Sequence, residues 1–250
     1  MQELTPEELG ICDEISNLGA DTWTATLAVE GLNTDPMMSS VMIYRRLWSN
    51  HRGFLVLWKA NLLLEASIVL RSGLEAAICL AALPALGGDF IALMKKDAAY
   101  TVQRQQRKLL EDGDEAAAQE AGAHVDLLLS LLPEGTKPAC LNFKTLAETG
   151  GVPQLYSAHR LLSGTSSHVT GLSVLQGLVS DDASMALQNE LTGLTRRMHL
   201  MYMAGATLHG IALHCQMIGA LELLERANDL IGRMNGISQG WGEVADAPQT

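Results

Sequence analysis

The stretch HRGFLVLWKANLLLEASIVLRSGLEAAICLAAL, His51 to Leu83, decides the fold class. Placed on a helical wheel at 100° per residue, its apolar side chains fall on every side, the pattern of a helix surrounded by other helices. Strand-like alternation is missing here and in the rest of the chain, so the sequence predicts one long buried helix, closed by Pro84 and Gly87-Gly88.

Outward from this segment the helix signals repeat. Thr5-Pro6-Glu7-Glu8 is a capping box with proline in the first turn, where its missing N–H is harmless, and it predicts a first helix from Pro6 to Glu30. Gly31 to Thr34 ends that helix, and Asp35-Pro36 starts a second one through Asn50. Beyond Pro84, Asp89 is read as the cap of a helix ending near Asp112, whose tail carries Arg104, Arg107 and Lys108 at the negative end of the helix dipole. A helix from Glu115 to Leu132 follows, then a loop with a short helix over Phe143 to Glu148. Pro153 opens a helix carrying Tyr156, His159 and Arg160 that frays into the Ser/Thr/Gly-rich segment Ser163 to Ser173. A last long helix, kinked near its glycines, is expected from Ser184 to Met234. Residues 1–235 are thus read as a single all-α domain, a bundle of six to eight helices with two long central ones, and 236–250 as a polar C-terminal tail.

Composition agrees with a large core. Of 250 residues 48% are hydrophobic and 18% charged, and the three Phe, four Tyr and four Trp leave aliphatic side chains and methionine to fill the interior. Seventeen basic residues against 28 acidic ones give a net charge of −11, which excludes broad electrostatic binding of nucleic acid and leaves only a small local site for RNA or a nucleotide. The cysteines Cys12, Cys79, Cys140 and Cys215 stand far apart and read as reduced thiols. With no secretory signal at the N-terminus, a cytoplasmic location is expected. Leu200 to Leu221 lacks any Asp, Glu, Lys or Arg over a membrane-spanning length, yet carries His209, His214 and Gln216. It is read as a core helix, with no membrane partner.

With so few charges, the polar residues inside apolar helices are the candidates for function. Asn61, Glu65, Ser72 and Glu75 lie at offsets 0, +4, +11 and +14, one stripe of the central helix, with Arg71 one turn before Glu75. A buried carboxylate must be paired, so the stripe is either a solvent-facing strip or the wall of a polar pocket. Later in the chain Tyr156, Arg160 and Ser163 share a helix face and lead into Gly164-Thr165-Ser166-Ser167-His168. Arg160 there could stabilise developing phosphate charge while His168 moves a proton, or the serines could simply cap helix ends. On the last helix Tyr202, His209 and Gln216 repeat every seven residues, with His199 and His214 on the opposite side; Glu65 or Glu75 would orient His209 if the two stripes met.

Glu-x-x-His pairs and H-E-x-x-H are missing, so no metal is expected. The lack of glycine-rich phosphate or dinucleotide motifs and of G-x-S-x-G leaves no cofactor implied.

The order of Arg-Ser-Gly-Leu-Glu (Arg71 to Glu75), then Tyr156 to Leu162, then Ser163 and His168 resembles an uncharacterised bacterial family of helical proteins with an Arg-x-x-x-Glu helix and a later Leu-Ser followed by His. A fainter likeness is to the HEPN helical domains of toxins and phage-defence ribonucleases, marked by Arg, four to six residues, then His. Arg160 and His168 have seven residues between them; Ser163 and His168 have four, and Arg46 and His51 match the spacing outright. The HEPN likeness implies a metal-independent nuclease or nucleotide-acting protein with a cleft shared across a homodimer. The other reading is a non-catalytic binding or interaction module, with Asn61, Glu65, Arg71, Ser72, Glu75, Tyr156, Ser163, Tyr202 and His209 lining its site. Whether the chain is an enzyme stays open at this level.

Overall fold

The computed structural model describes residues 4–32, 34–164 and 186–245, with side chains for all of these but 35, 186–189 and 238–245. Among the described residues there are nine α-helices and no strand: α1 (Pro6–Leu27), α2 (Asp35–Lys59), α3 (Leu63–Leu86), α4 (Gly88–Glu111), α5 (Glu115–Ser130), α6 (Phe143–Thr149), α7 (Pro153–Ser163), α8 (Ala186–Ile218) and α9 (Leu221–Ala245). The protein is an all-α helical bundle, as its apolar pattern requires.

Two helix boundaries differ from the sequence reading, for the same physical reason. The second helix does not stop at Asn50 but runs on to Lys59, and the long third helix begins at Leu63. Asn61 takes the left-handed conformation (φ 59°) and the Leu62 amide bonds back to the Leu57 carbonyl at 2.9 Å, a helix stop that asparagine supports almost as well as glycine. The last helix is likewise divided: Gly219 (φ 74°) lets the Ala220 amide reach the Cys215 carbonyl at 2.9 Å, and α9 then continues through Ala245, past the Gly236 at which a polar tail was expected. Two smaller corrections concern caps. Gly87 precedes α4 and places Asp89 inside its first turn, and Pro84 sits within the last turn of α3 rather than ending it.

The Thr5 capping box forms as read, with Glu8 N donating to Thr5 Oγ1 and Thr5 N donating to a Glu8 oxygen. Glu8 then does more than cap. Its fully buried carboxylate pairs with Arg197 of α8, whose Nε donates at 2.8 Å, and so ties the start of α1 to the bundle. At the preceding residue of α8, the Trp58 indole donates to the Arg196 carbonyl while the Arg196 guanidinium lies 4.4 Å over its ring.

Helix α3 is the centre of the bundle, contacted by α2, α4, α6, α7 and α8. Leu70, Leu74, Ile78, Leu80 and Leu83 have no exposed surface, each side chain contributing about 1.5–3 kcal/mol by burial. By length and composition α3 could cross a membrane, and 72% of its apolar window is buried among the other helices. The Leu200 to Leu221 segment packs inside through Cys215, with Leu200, Met203, Leu208 and Ile211 as core residues, and its end at Leu221 is exposed. Helices α4 and α5 pair mainly with each other, and α4 buries only Phe90 and Ala99.

The three helices α1, α2 and α8 share a polar seam made of two histidines. His51 of α2 is 1% exposed, stacks on Trp48, and lies 2.9 Å from Ser16 Oγ through Nε2 and 2.9 Å from Thr207 Oγ1 through Nδ1. His214 of α8 is fully buried, stacks on Tyr44 at 4.4 Å, and lies 2.9 Å from Thr26 Oγ1 through Nε2 and 2.7 Å from Ser40 Oγ through Nδ1. The hydroxyl protons fix the tautomers. Ser16 already donates to the Cys12 carbonyl and Thr26 to the Thr22 carbonyl, so each must accept from an Nε2–H. The Nδ1 lone pairs then accept from Thr207 and Ser40. Both imidazoles are neutral and fully satisfied, and burial pushes each down to about pKa 4.

The consequence is acid sensitivity with a definite sign. An unfolded histidine takes up its proton near pH 6.5, whereas these two stay neutral in the folded state down to about 4. Their contribution is intact above pH 6.5 and is lost as pH falls from there to about 4, the unfolding equilibrium shifting tenfold per pH unit for each histidine. Urea midpoints between pH 7.5 and 4.5 should therefore decline, with a shallower decline in His214→Gln than in wild type; equal slopes would refute the neutral seam.

Candidate functional site

The most concentrated polar arrangement outside the seam lies where α7 crosses α3. Asn142 caps the short helix α6 by accepting from Thr145 N, and the Gly150-Gly151 link then turns the chain into α7. A Cβ at Gly150 would stand 2.6 Å from the Ala81 carbonyl carbon, so only glycine lets this link lie against the α3 backbone. Leu155, Ala158 and Leu162 seat α7 on the core. That seating turns His159 inward, 7% exposed, onto the face of α3 carrying Arg71 and Glu75.

His159 Nε2 is 3.0 Å from Glu75 Oε1 and 3.3 Å from Arg71 Nε, while Arg71 Nη2 is 3.4 Å from the same Glu75 oxygen. One ring nitrogen cannot donate to the carboxylate and accept from the guanidinium at once. The shorter, carboxylate contact takes the proton, so Nε2–H donates to Glu75 and Arg71 completes an ion pair around it. The opposite nitrogen, Nδ1, is buried and has no hydrogen-bond partner. Leaving such an atom unsatisfied costs about 1–3 kcal/mol, an arrangement that persists only where something else is gained. Phe143 (5.4 Å, tilted) and Tyr156 (6.0 Å, near parallel) flank the ring, and the Arg71 and Glu75 side chains keep about a third of their surface in solvent (32% and 29%). The arrangement is a carboxylate-oriented imidazole with one uncommitted nitrogen, a cation beside it and aromatic walls. It can exchange a proton or a hydrogen bond with a small polar group.

Of the other residues singled out from sequence, several lie elsewhere. Asn61 is exposed in the α2–α3 turn rather than on a helical stripe, and Glu65 is exposed in the first turn of α3, where its charge suits the helix dipole. Ser72 faces α2, accepting from Arg46 Nη2 at 3.2 Å and from Asn50 Nδ2 at 3.1 Å. Tyr156 flanks the site, while Ser163 donates back to the His159 carbonyl within its own helix. Arg160 is exposed on the outer face of α7, and His168 lies outside the described residues. Tyr202 and His209 sit on the half-buried side of α8; His209 Nδ1 donates to the Gly205 carbonyl of its own helix and is not oriented by Glu65 or Glu75. The Arg46–His51 spacing match does not make a centre either, since His51 is committed to the seam while Arg46 is exposed.

His159 is the residue the sequence reading passed over. Its signal was present: Arg71 and Glu75 in an almost uncharged helix demand a polar partner, and His159 stands on the apolar side of α7 between Leu155 and Leu162. Among the described residues no three His, Cys, Asp or Glu side chains gather as a metal site would require.

If Glu75 and His159 act as a pair, removing both should destabilise the protein by less than the sum of the single losses. A thermodynamic cycle of Glu75→Ala and His159→Ala is expected to give a coupling of about 1 kcal/mol; zero coupling would dissolve the centre into unrelated polar side chains. No protein-family model matches the chain, and no curated protein or solved structure shows significant similarity to it, so function is argued from this geometry.

Proposed function

We propose that the chain is a helical binding module for a small polar ligand of the nucleotide class, with its site at the α3–α7 crossing. The supporting observation is the buried, unpartnered Nδ1 of His159, on a ring whose other nitrogen is anchored by Glu75. A ligand hydroxyl, amide or phosphate group hydrogen-bonded there would relieve a standing deficit, and because Nδ1 is buried the side chains that cover it must move aside to admit the ligand. Glu75 orients the imidazole, Arg71 offers positive charge, and Phe143 and Tyr156 supply aromatic surface for a planar group. The overall charge of −11 favours a compact ligand over a long polyanion.

A second reading, a metal-independent HEPN-like nuclease, keeps support from Arg160 and Ser163, which lead directly into the segment holding His168. It differs from the binding module in placing the chemistry at the C-terminal end of α7.

Both are tested by thermal-shift titration with inorganic phosphate, adenosine monophosphate and a short single-stranded RNA, with RNA cleavage followed in parallel. The binding module predicts a ligand that raises the melting temperature of wild type and of Arg160→Ala alike, with apparent affinity at least tenfold weaker in His159→Gln. Unchanged affinity of His159→Gln for every organic member of the panel that wild type binds, or no response of wild type to any member, would overturn it. RNA cleavage abolished by His168→Ala would establish the second reading in its place.

A further inference from the structure

One turn around α3 from the His159 site, Arg46 and Asn50 of α2 converge on Ser72. Arg46 Nη2 and Asn50 Nδ2 donate to the same Ser72 oxygen at 3.2 and 3.1 Å, filling its acceptor capacity. The cluster then holds donors in excess: the remaining guanidinium N–H groups, the second amide hydrogen and the serine O–H. Among the described residues no carboxylate lies within ion-pair distance of Arg46. An exposed arginine alone would mean nothing, but here Arg46 and Asn50 of α2 are drawn together by a shared bond to Ser72 of α3, which gathers the charge and the neutral donors of two packed helices in one place. Apart from the Asn50 amide oxygen and the Ser72 oxygen already in use, the cluster offers donors and one positive charge, and an oxyanion is the acceptor that matches such a set.

Position and electrostatics agree. Arg46 and Asn50 stand four residues apart on one face of α2, and Ser72 and Glu75 three apart on α3, so the cluster adjoins the Glu75 carboxylate. The negative charge of Glu75 would repel an anion were it bare, and Arg71 neutralises it. Burial raises the pKa of the Cys79 thiol, the charges of Glu75 and Asp97 add to that and Arg46 opposes it, so Arg46 and Glu75 stand with Asp97 around one point of the fold.

We infer that Arg46, Asn50 and Ser72 form an oxyanion subsite beside the Arg71–Glu75–His159 centre and hold the phosphate of the ligand whose remaining polar group meets His159. The inference rests on the binding reading above for that second group, and it assigns the ligand a phosphate as its class-defining feature.

The test is titration of the full chain with inorganic phosphate, with acetate and chloride at matched ionic strength as controls, in wild type, Arg46→Gln, Ser72→Ala and Arg45→Gln. Glutamine at position 46 keeps a donor to Ser72 and loses the charge at an exposed site, so folding is preserved, and Arg45 is an exposed arginine next in sequence. Expected is a saturable phosphate response in wild type and Arg45→Gln, weakened at least tenfold in Arg46→Gln and Ser72→Ala, with a lesser response to acetate. A wild-type-like response in Arg46→Gln, an equal loss in Arg45→Gln, or no saturation in wild type would overturn the subsite. His159→Gln separates the two claims. If it keeps phosphate binding and loses a larger ligand, both stand; if Arg46→Gln is silent while His159→Gln loses the larger ligand, only the subsite fails. If Arg46→Gln loses phosphate while His159→Gln binds every ligand as wild type does, the subsite stands and the His159 reading fails.

Discussion

His51 and His214 hold α1, α2 and α8 in one register because each imidazole is gripped by hydroxyls from the two other helices of the trio. Ordinary apolar packing tolerates sliding by a fraction of a turn, since one leucine replaces another at modest cost. A buried hydrogen bond does not, because a displaced donor or acceptor is left unsatisfied in a low dielectric. The two histidines lie toward different ends of the shared seam, with Leu47 and Gly210 packed between them, where any side chain larger than hydrogen at position 210 would collide with Leu47. Rotation and translation of the three helices are both constrained.

That frame decides what α3 can do. Pressed between α2 and α8, and covered by α6 and α7, α3 has little surface left for charge, and Arg71, Ser72 and Glu75 occupy the band that remains partly open. Arg71 and Glu75 turn to α7 and meet His159; Ser72 turns to α2 and meets Arg46 and Asn50. The two polar clusters are therefore consequences of one helix being buried nearly all round, and they adjoin because their α3 residues do. His51 and His214 have both ring nitrogens satisfied and are structural, whereas His159 and His199 each keep a buried Nδ1 without a partner, and of these two only His159 has its other nitrogen held by a carboxylate among the described residues.

Much of this was legible in the sequence, and the failures have physical causes. The Thr5 capping box, the buried character of the central helix and the importance of Arg71 and Glu75 followed from residue type and spacing. The stop at Asn61 was missed because the turn there contains neither glycine nor proline, and only the local tolerance of asparagine for a left-handed backbone permits it. Extending the third helix through that turn falsely put Asn61 on one stripe with Ser72 and Glu75, while Glu65 does stand on α3 but in its exposed first turn. On α7 the spacing of Tyr156, Arg160 and Ser163 drew notice to one face, whereas packing buried the neighbouring face with His159. On α8 the heptad of Tyr202 and His209 was the half-buried side, and the isolated His214 was the one committed to the core, since a single polar group in an apolar stripe needs a partner that sequence does not display.

The seam holds its protons at specific ring nitrogens, which long-range proton–nitrogen NMR of the histidine side chains measures directly. His51 and His214 should both appear as the Nε2–H tautomer, unchanged between pH 7.5 and 5.5, while Glu75→Gln alters the spectrum of His159 alone. An Nδ1–H tautomer at His51 or His214, or titration of either near pH 6.5, would contradict the seam on which the positions of α3 and of both polar clusters rest.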